Sequence, residues 1–222
     1  MKYGLLFIAI SCLLAACRPA GQVDITTLSA GTISFDIQLK AGSQVSPMMR
    51  TMLPTKGEYS FAGDSAALRA STALMSLNLL TNGKNRTMTL IMDNVLSGKV
   101  ATQATEAELR PALDSSNIIA ELTTDTKKIL GIATTKIILR DTVTQATSVV
   151  YMAIDAPVGA LYWQLPFGKI KGLVLAYEYK KDDLDLLCTA TAITATPPAP
   201  ALLQVPKGLA IERWKTAVTR HK

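Results

Sequence analysis

The sequence predicts a mainly β (α+β), single-domain fold: one curved antiparallel sheet or half-open barrel with one or two short helices. Three observations predict it. Short runs rich in Thr, Val and Ile recur along the chain, several with alternating polar and apolar residues. Turn signals separate them, notably Gly63-Asp64, Asn82-Gly83-Lys84-Asn85 and Lys181-Asp182-Asp183. Helical signals are few. Many short strands with little helix imply a sheet that curls towards a barrel or sandwich.

The first element is a leader. Lys2 precedes an apolar run from Leu5 to Leu14 that closes on Leu14-Ala15-Ala16-Cys17. About ten apolar residues are too few to cross a bilayer of roughly 30 Å as a helix, but they suit the core of an export signal. The closing residues resemble the lipobox of bacterial lipoproteins. Residues 1–16 are thus expected to be a signal peptide, and Cys17 a lipidated anchor. More than one acyl chain there makes a stable tether. By resemblance to enteric lipoproteins, Arg18 in place of Asp favours the outer membrane, facing the periplasm. Residues 17–30 are the lipidated N-terminus and tether, 31–210 the β domain, and 211–222 a tail with helical spacing of Ile211, Trp214 and Val218.

Inside the domain, Thr32 to Leu39 alternates without a break and reads as a half-buried strand. Residues 41–56 read as a loop. Glu58 to Ala62 and Ala67 to Thr72 form strands about Gly63-Asp64. Leu74 to Leu80 and Arg86 to Met92 form the clearest hairpin, with Met75, Leu77 and Leu79 on one face and Met88, Leu90 and Met92 likewise. Glu106 to Ala112 is a short helix limited by Pro111. Ile118 to Thr123, Ala133 to Arg140 and Ser148 to Ile154 read as strands, and Asp155 to Gly159 breaks the run. Gly172 to Lys180 and Leu184 to Thr194 make a further hairpin, and Leu202 to Val205 a last strand.

Composition narrows the chemistry. Once the leader is removed, about 205 residues remain, enough for one core. The formal charge of +6 falls to about +5 without Lys2. The basic residues are scattered, with no stripe of the kind a nucleic-acid groove uses, so no nucleic-acid partner is expected. Cys12 leaves with the leader, and Cys188 is left alone in an apolar stretch, the setting of a buried small hydrophobe. The one histidine is His221, next to last. That excludes histidine-based triads, and no G-x-S-x-G, P-loop or H-E-x-x-H occurs. Asp182, Asp183 and Asp185 fall short of a calcium loop and read as a solvated turn. No catalytic residue, metal or cofactor is expected.

Methionine supplies the positive signal. Met48, Met49 and Met52 lie in the 41–56 stretch, and Met88 and Met92 on apolar strand faces. Their flexible, polarizable side chains suit adaptable binding surfaces, so these five are the candidate ligand-binding residues. Core filling is the alternative reading. Tyr162 to Phe167 fits either a lid over a cavity or a plain hydrophobic anchor.

The order of motifs resembles an uncharacterised domain family of exported bacterial proteins. Thr126-Lys127-Lys128-Ile129-Leu130-Gly131 followed by Lys136 is similar to its lysine-bearing segment. Tyr151 to Asp155, Lys171 to Glu178 and Leu203 to Leu209 stand at its later motifs. That family is similar to the LolA/LolB lipoprotein-carrier group. The resemblance implies a half-open antiparallel barrel with a hydrophobic concave face and no catalytic residues. The expectation is a membrane-anchored lipoprotein of the cell envelope that binds a hydrophobic ligand, an acyl chain or lipid, without catalysis. The alternative is a protein-interaction or accessory lipoprotein of an envelope assembly.

Overall fold

The computed structural model describes residues 23–114, 116–181 and 184–214, with nothing said of the Lys181 side chain. The leader, Cys17, Asp182, Asp183, Val218 and His221 lie outside the described residues. Among the described residues the chain is mainly β, with two α-helices and one twelve-stranded sheet.

The first half is a meander of β1 (Ala30–Leu39), β2 (Lys56–Ala62), β3 (Ser65–Ser71), β4 (Met75–Asn82), β5 (Thr87–Asn94) and β6 (Gly98–Thr105). Helix α1 (Pro47–Met52) joins β1 to β2, and α2 (Glu106–Asp114) follows β6. The second half is another meander: β7 (Ile118–Ile129), β8 (Ile132–Asp141), β9 (Thr147–Ala153), β10 (Leu173–Lys181) and β11 (Leu184–Thr194). One antiparallel ladder, β1 on β11, joins the halves, from Thr32↔Thr194 to Leu39↔Leu186. The order is β12-β6-β5-β4-β3-β2-β1-β11-β10-β9-β8-β7, where β12 (Ile211–Arg213) runs parallel to β6.

This order forces the sheet to curl. From β6 to β7 are ten strand steps, about 48 Å in a flat sheet at roughly 4.8 Å per step. The connection between them is only α2, about 14 Å long, and three further residues. The curl stops short of closure, leaving β7 and β12 as the edges of the described sheet. A break in register between Leu122 and Thr126 bulges β7, which blunts that edge.

The chain ends of the strands define a near end, where β1 begins, and a far end, where α1 sits. The turns at Gly63, Gly83 and Gly131, the start of helix α2 and residues 154–172 lie at the near end. The turns after β3, β5 and β8 lie at the far end. Residues 154–172 seal the inner face at the near end. Leu161, Tyr162 and Phe167 are buried in one cluster with Ile33, Phe61, Ile137, Met152 and Leu173. Close backbone contact requires glycine here: a Cβ on Gly83 would stand 2.7 Å from the Ala160 carbonyl oxygen. On the outer face, Leu203, Val205 and Leu209 form a strap over Ala67, Leu80, Ile91 and Ala101, which come from β3, β4, β5 and β6.

Four local expectations are corrected, and one strand, β6, is added. Residues 47–52 are helical: Ser46 Oγ accepts from the Met49 N–H at 3.1 Å, and Pro47 opens the first turn. Helix α2 runs past Pro111 to Asp114, since Pro111 and Ala107 both lie on its exposed side. Residues 98–105 form a strand without a clear apolar alternation, held between β5 and β12. Leu202 and Leu203 belong to a short 3-10 turn, Pro200–Leu203, started by the fixed φ of proline. Ile211 to Arg213 pair with β6 rather than starting a helix, because that edge offers unpaired backbone groups.

Candidate functional site

The register places three rows of side chains on the inner face of the first half. Phe61, Ala66, Thr81, Met88 and Ala104 form the row nearest the sealed end. Tyr59, Leu68, Leu79, Leu90 and Thr102 form the middle row. Gly57, Ala70, Leu77, Met92 and Val100 form the far row. Burial falls along this grid. All of the first row but Met88 is buried, Leu68, Leu79 and Leu90 are half-buried, and Met92 and Val100 are 39% and 41% exposed. Met75 continues the face beyond the far row, and Leu74, Val95 and Leu96 stand on the adjoining turns, the last 91% exposed. The result is a largely apolar face, covered at one end and exposed at the other.

The sealed end is packed with aromatic and aliphatic side chains. Tyr59 and Tyr162 stack with ring centroids 5.3 Å apart, and Tyr162 meets Phe167 at 5.8 Å. Burial pushes the Tyr162 phenol up to about 12, while its oxygen accepts from the Val174 N–H at 3.2 Å. Burial also holds Tyr59 well above its usual value, with the neighbouring Tyr162 adding to the effect. Tyr177 is raised in the same way, chiefly by burial. Cys188 is buried and its thiol is pushed up by desolvation, the opposite of an activated nucleophile.

The five candidate methionines fall in two places. Met88 and Met92 share the inner face of β5, Met88 half-buried against the Ala104, Leu109 and Trp163 cluster and Met92 at the open end. Met48, Met49 and Met52 project from α1 at the far end, 74%, 50% and 43% exposed, and no residue of that helix is buried. Tyr162, Trp163 and Phe167 are anchors in the core rather than a lid. Trp214 packs on the Trp163 cluster, while Val218, the next position of the expected helical stripe, lies outside the described residues. Asp185 stands 3.7 Å from Lys40 Nζ, which also donates to Glu178 at 3.1 Å. Among the described residues no group of three or more His, Cys, Asp or Glu is placed to hold a metal ion.

Two features escaped the sequence reading. Thr105-Glu106-Ala107-Glu108 is a capping box: the Thr105 N–H and Oγ1 both donate to Glu108 Oε2, at 2.8 and 2.9 Å. The T-x-x-E spacing was its signal. The strap of residues 200–209 left no signal beyond its prolines.

No family model matches the chain, and no curated protein matches it. Among solved structures it is similar to PNGF-II, in two crystal forms. Identity is 16% and the TM-score 0.55 in one, 17% and 0.56 in the other. Each match covers 86% of this chain and 32% or 33% of the other. The fold is similar to one third of PNGF-II. The likeness concerns the fold alone, and it places a comparable sheet within a much longer chain.

Proposed function

We propose that this chain is a lipid-anchored protein of the bacterial cell envelope. It binds an acyl chain or other lipid, without catalysis, along the open half of its inner sheet face. The observation that carries this reading is the gradient from sealed Phe61, Ala66 and Ala104 to exposed Met92 and Val100 on one continuous face. Each buried methylene contributes about 0.8 kcal/mol, so a ligand of ten or so methylenes gains enough to offset the cost of association. Met75 and Met92 at the open end adapt to chains of varied shape. The LolA/LolB-like half-open barrel is the architecture this reading adopts for the curled sheet. The anchor is Cys17, with the outer membrane, facing the periplasm, as its location.

A second reading has its own support. Met48, Leu74, Val95 and Leu96 widen the apolar surface beyond what one acyl chain covers, as a docking face for an envelope protein would. Native mass spectrometry of the Cys17→Ser chain decides between the two. Co-purified lipid, lost in Leu90→Glu/Met92→Glu, supports the first reading. A clean protein mass with no uptake of added fatty acid or phospholipid overturns it, and cross-linking from position 96 in cells then tests the second.

A further inference from the structure

The two ends of the sheet turn with different chemistry. At the near end the hairpin connections Gly63-Asp64 and Asn82 to Asn85 are polar, as turns ordinarily are. At the far end the connections carry aliphatic side chains. Leu74 stands on the β3–β4 turn and Val95 and Leu96 on the β5–β6 turn, 50%, 73% and 91% exposed. Val143, on the β8–β9 turn at the same end, is exposed as well. These residues lie outside every core cluster of the described residues, so their apolar character serves no packing there.

The β3–β4 and β5–β6 turns are built as one tip. The Val95 N–H donates to the Leu74 carbonyl at 3.1 Å, one step beyond the Met75↔Asn94 pair. Each turn also satisfies its own backbone. Thr72 Oγ1 accepts from the Leu74 and Met75 N–H groups at 3.3 and 3.2 Å, and the Thr72 N–H donates to the Met75 carbonyl at 2.8 Å. Asn94 Oδ1 accepts from the Leu96 and Ser97 N–H groups at 2.8 and 3.4 Å. Water makes no such demand on a turn. Hydrocarbon does, because an amide left unbonded there is costly.

Polarity changes behind the tip. Ser71, Ser76, Asp93 and Lys99 lie opposite one another across β3 to β6, and Asp93 pairs with Lys99 at 3.0 Å. This row is polar and carries no net charge. It stands two residues behind Leu74, about 7 Å. Apolar side chains in front and a charge-balanced row behind match the depth order of a bilayer surface, where such insertions reach about 5–10 Å. A protein partner gains from free backbone donors or a recess to fill. Here the donors are already bonded, and the tip projects beyond the last row of the sheet.

We propose that this tip inserts Leu74, Val95 and Leu96 into the surface of a zwitterionic phospholipid bilayer, with the Asp93–Lys99 pair at headgroup level. The proposal does not rest on the Cys17 anchor or on lipid held along the inner face. Insertion is read at position 96 and lipid uptake by mass, so either can fail alone.

Fluorescence of the full chain carrying Cys12→Ser and Cys17→Ser, with an environment-sensitive dye on Leu96→Cys, tests it on phosphatidylcholine vesicles. Cys188 is buried and stays unlabelled. The expected result is a blue shift of the dye and its quenching by lipids spin-labelled close to the headgroup, both unchanged from low to high salt. The same dye on Lys84→Cys, at the near end, should stay in water. Leu74→Glu/Val95→Glu in the chain labelled at position 96 should lower the inserted fraction by about tenfold or more. The proposal is overturned if the dye at position 96 keeps its aqueous emission, if the two Glu substitutions leave its insertion unchanged, or if the dye at position 84 is quenched equally. It also fails if insertion requires anionic lipid, or if position 96 is shielded by an added envelope protein and not by vesicles.

Discussion

At the near end, Phe61, Ala66 and Ala104 lie beneath Leu161, Tyr162 and Trp163, and the Thr81 hydroxyl donates to the Leu161 carbonyl at 3.3 Å. At the far end of the same strands, Leu77, Met92 and Val100 have no such cover, and the adjoining turns expose Val95 and Leu96. The strands and their inward alternation are continuous between the two ends. What differs is the segment laid over them. Residues 154–172 spend their large apolar side chains on the near end and reach no further. Stability is therefore concentrated at one end of the sheet and unsatisfied apolar surface at the other.

The largest expected contrast is a pair of leucines. Leu161→Ala removes a side chain that is 1% exposed, and it should cost about 2–5 kcal/mol by chemical denaturation. Leu96→Ala should stay within about 0.5 kcal/mol. Similar losses at both positions would break the distinction between the ends.

Alkaline pH probes the sealed side from another direction. Above about pH 10 an unfolded phenol releases its proton, while the buried Tyr59, Tyr162 and Tyr177 keep theirs. The unfolded state then binds fewer protons, so stability falls as pH rises from about 10 through the Tyr162 value of about 12. Each phenol contributes up to about 1.4 kcal/mol per pH unit in that window. Tyrosinate absorbance from these three residues should appear together with loss of the β-sheet circular dichroism. Full ionisation near pH 10 in an intact fold would show that the near end is open to water.

A smaller effect is expected at the edge of the near end. Thr105→Ala removes one side of the capping box on α2 and should cost about 1 kcal/mol, seen as a lower melting temperature. Met92→Ser at the open end should lower stability only slightly more than Leu96→Ala, and on the lipid-binding reading its larger effect falls on lipid uptake.

The strands, and their grouping on one face, were legible because their signals are local. Asn82 to Asn85 and Gly63-Asp64 mark hairpin turns, and Met75, Leu77 and Leu79 already alternate with polar neighbours. β6 was not legible, because Val100, Ala101 and Ala104 give no regular period. Ser46-Pro47 carried the signal for α1, obscured by the turn-like residues around it. The division into sealed and open ends depends on where residues 154–172 fold back, which no local pattern encodes. The apolar tip depends further on register: Leu74 and Val95 belong to separate turns and meet only through the β4–β5 ladder.

The β1–β11 ladder has a consequence for the order in which the molecule is made. Each meander consists of neighbours in sequence, which pair soon after they emerge. The seam between them waits for residues as distant as Thr32 and Thr194 to meet. A chain synthesised from its N-terminus thus presents β1 with one bare edge until Leu184–Thr194 arrives, and a bare edge is a template for a neighbouring copy. Strand exchange between half-made chains is the hazard built into this topology, and truncation before β11 makes it permanent.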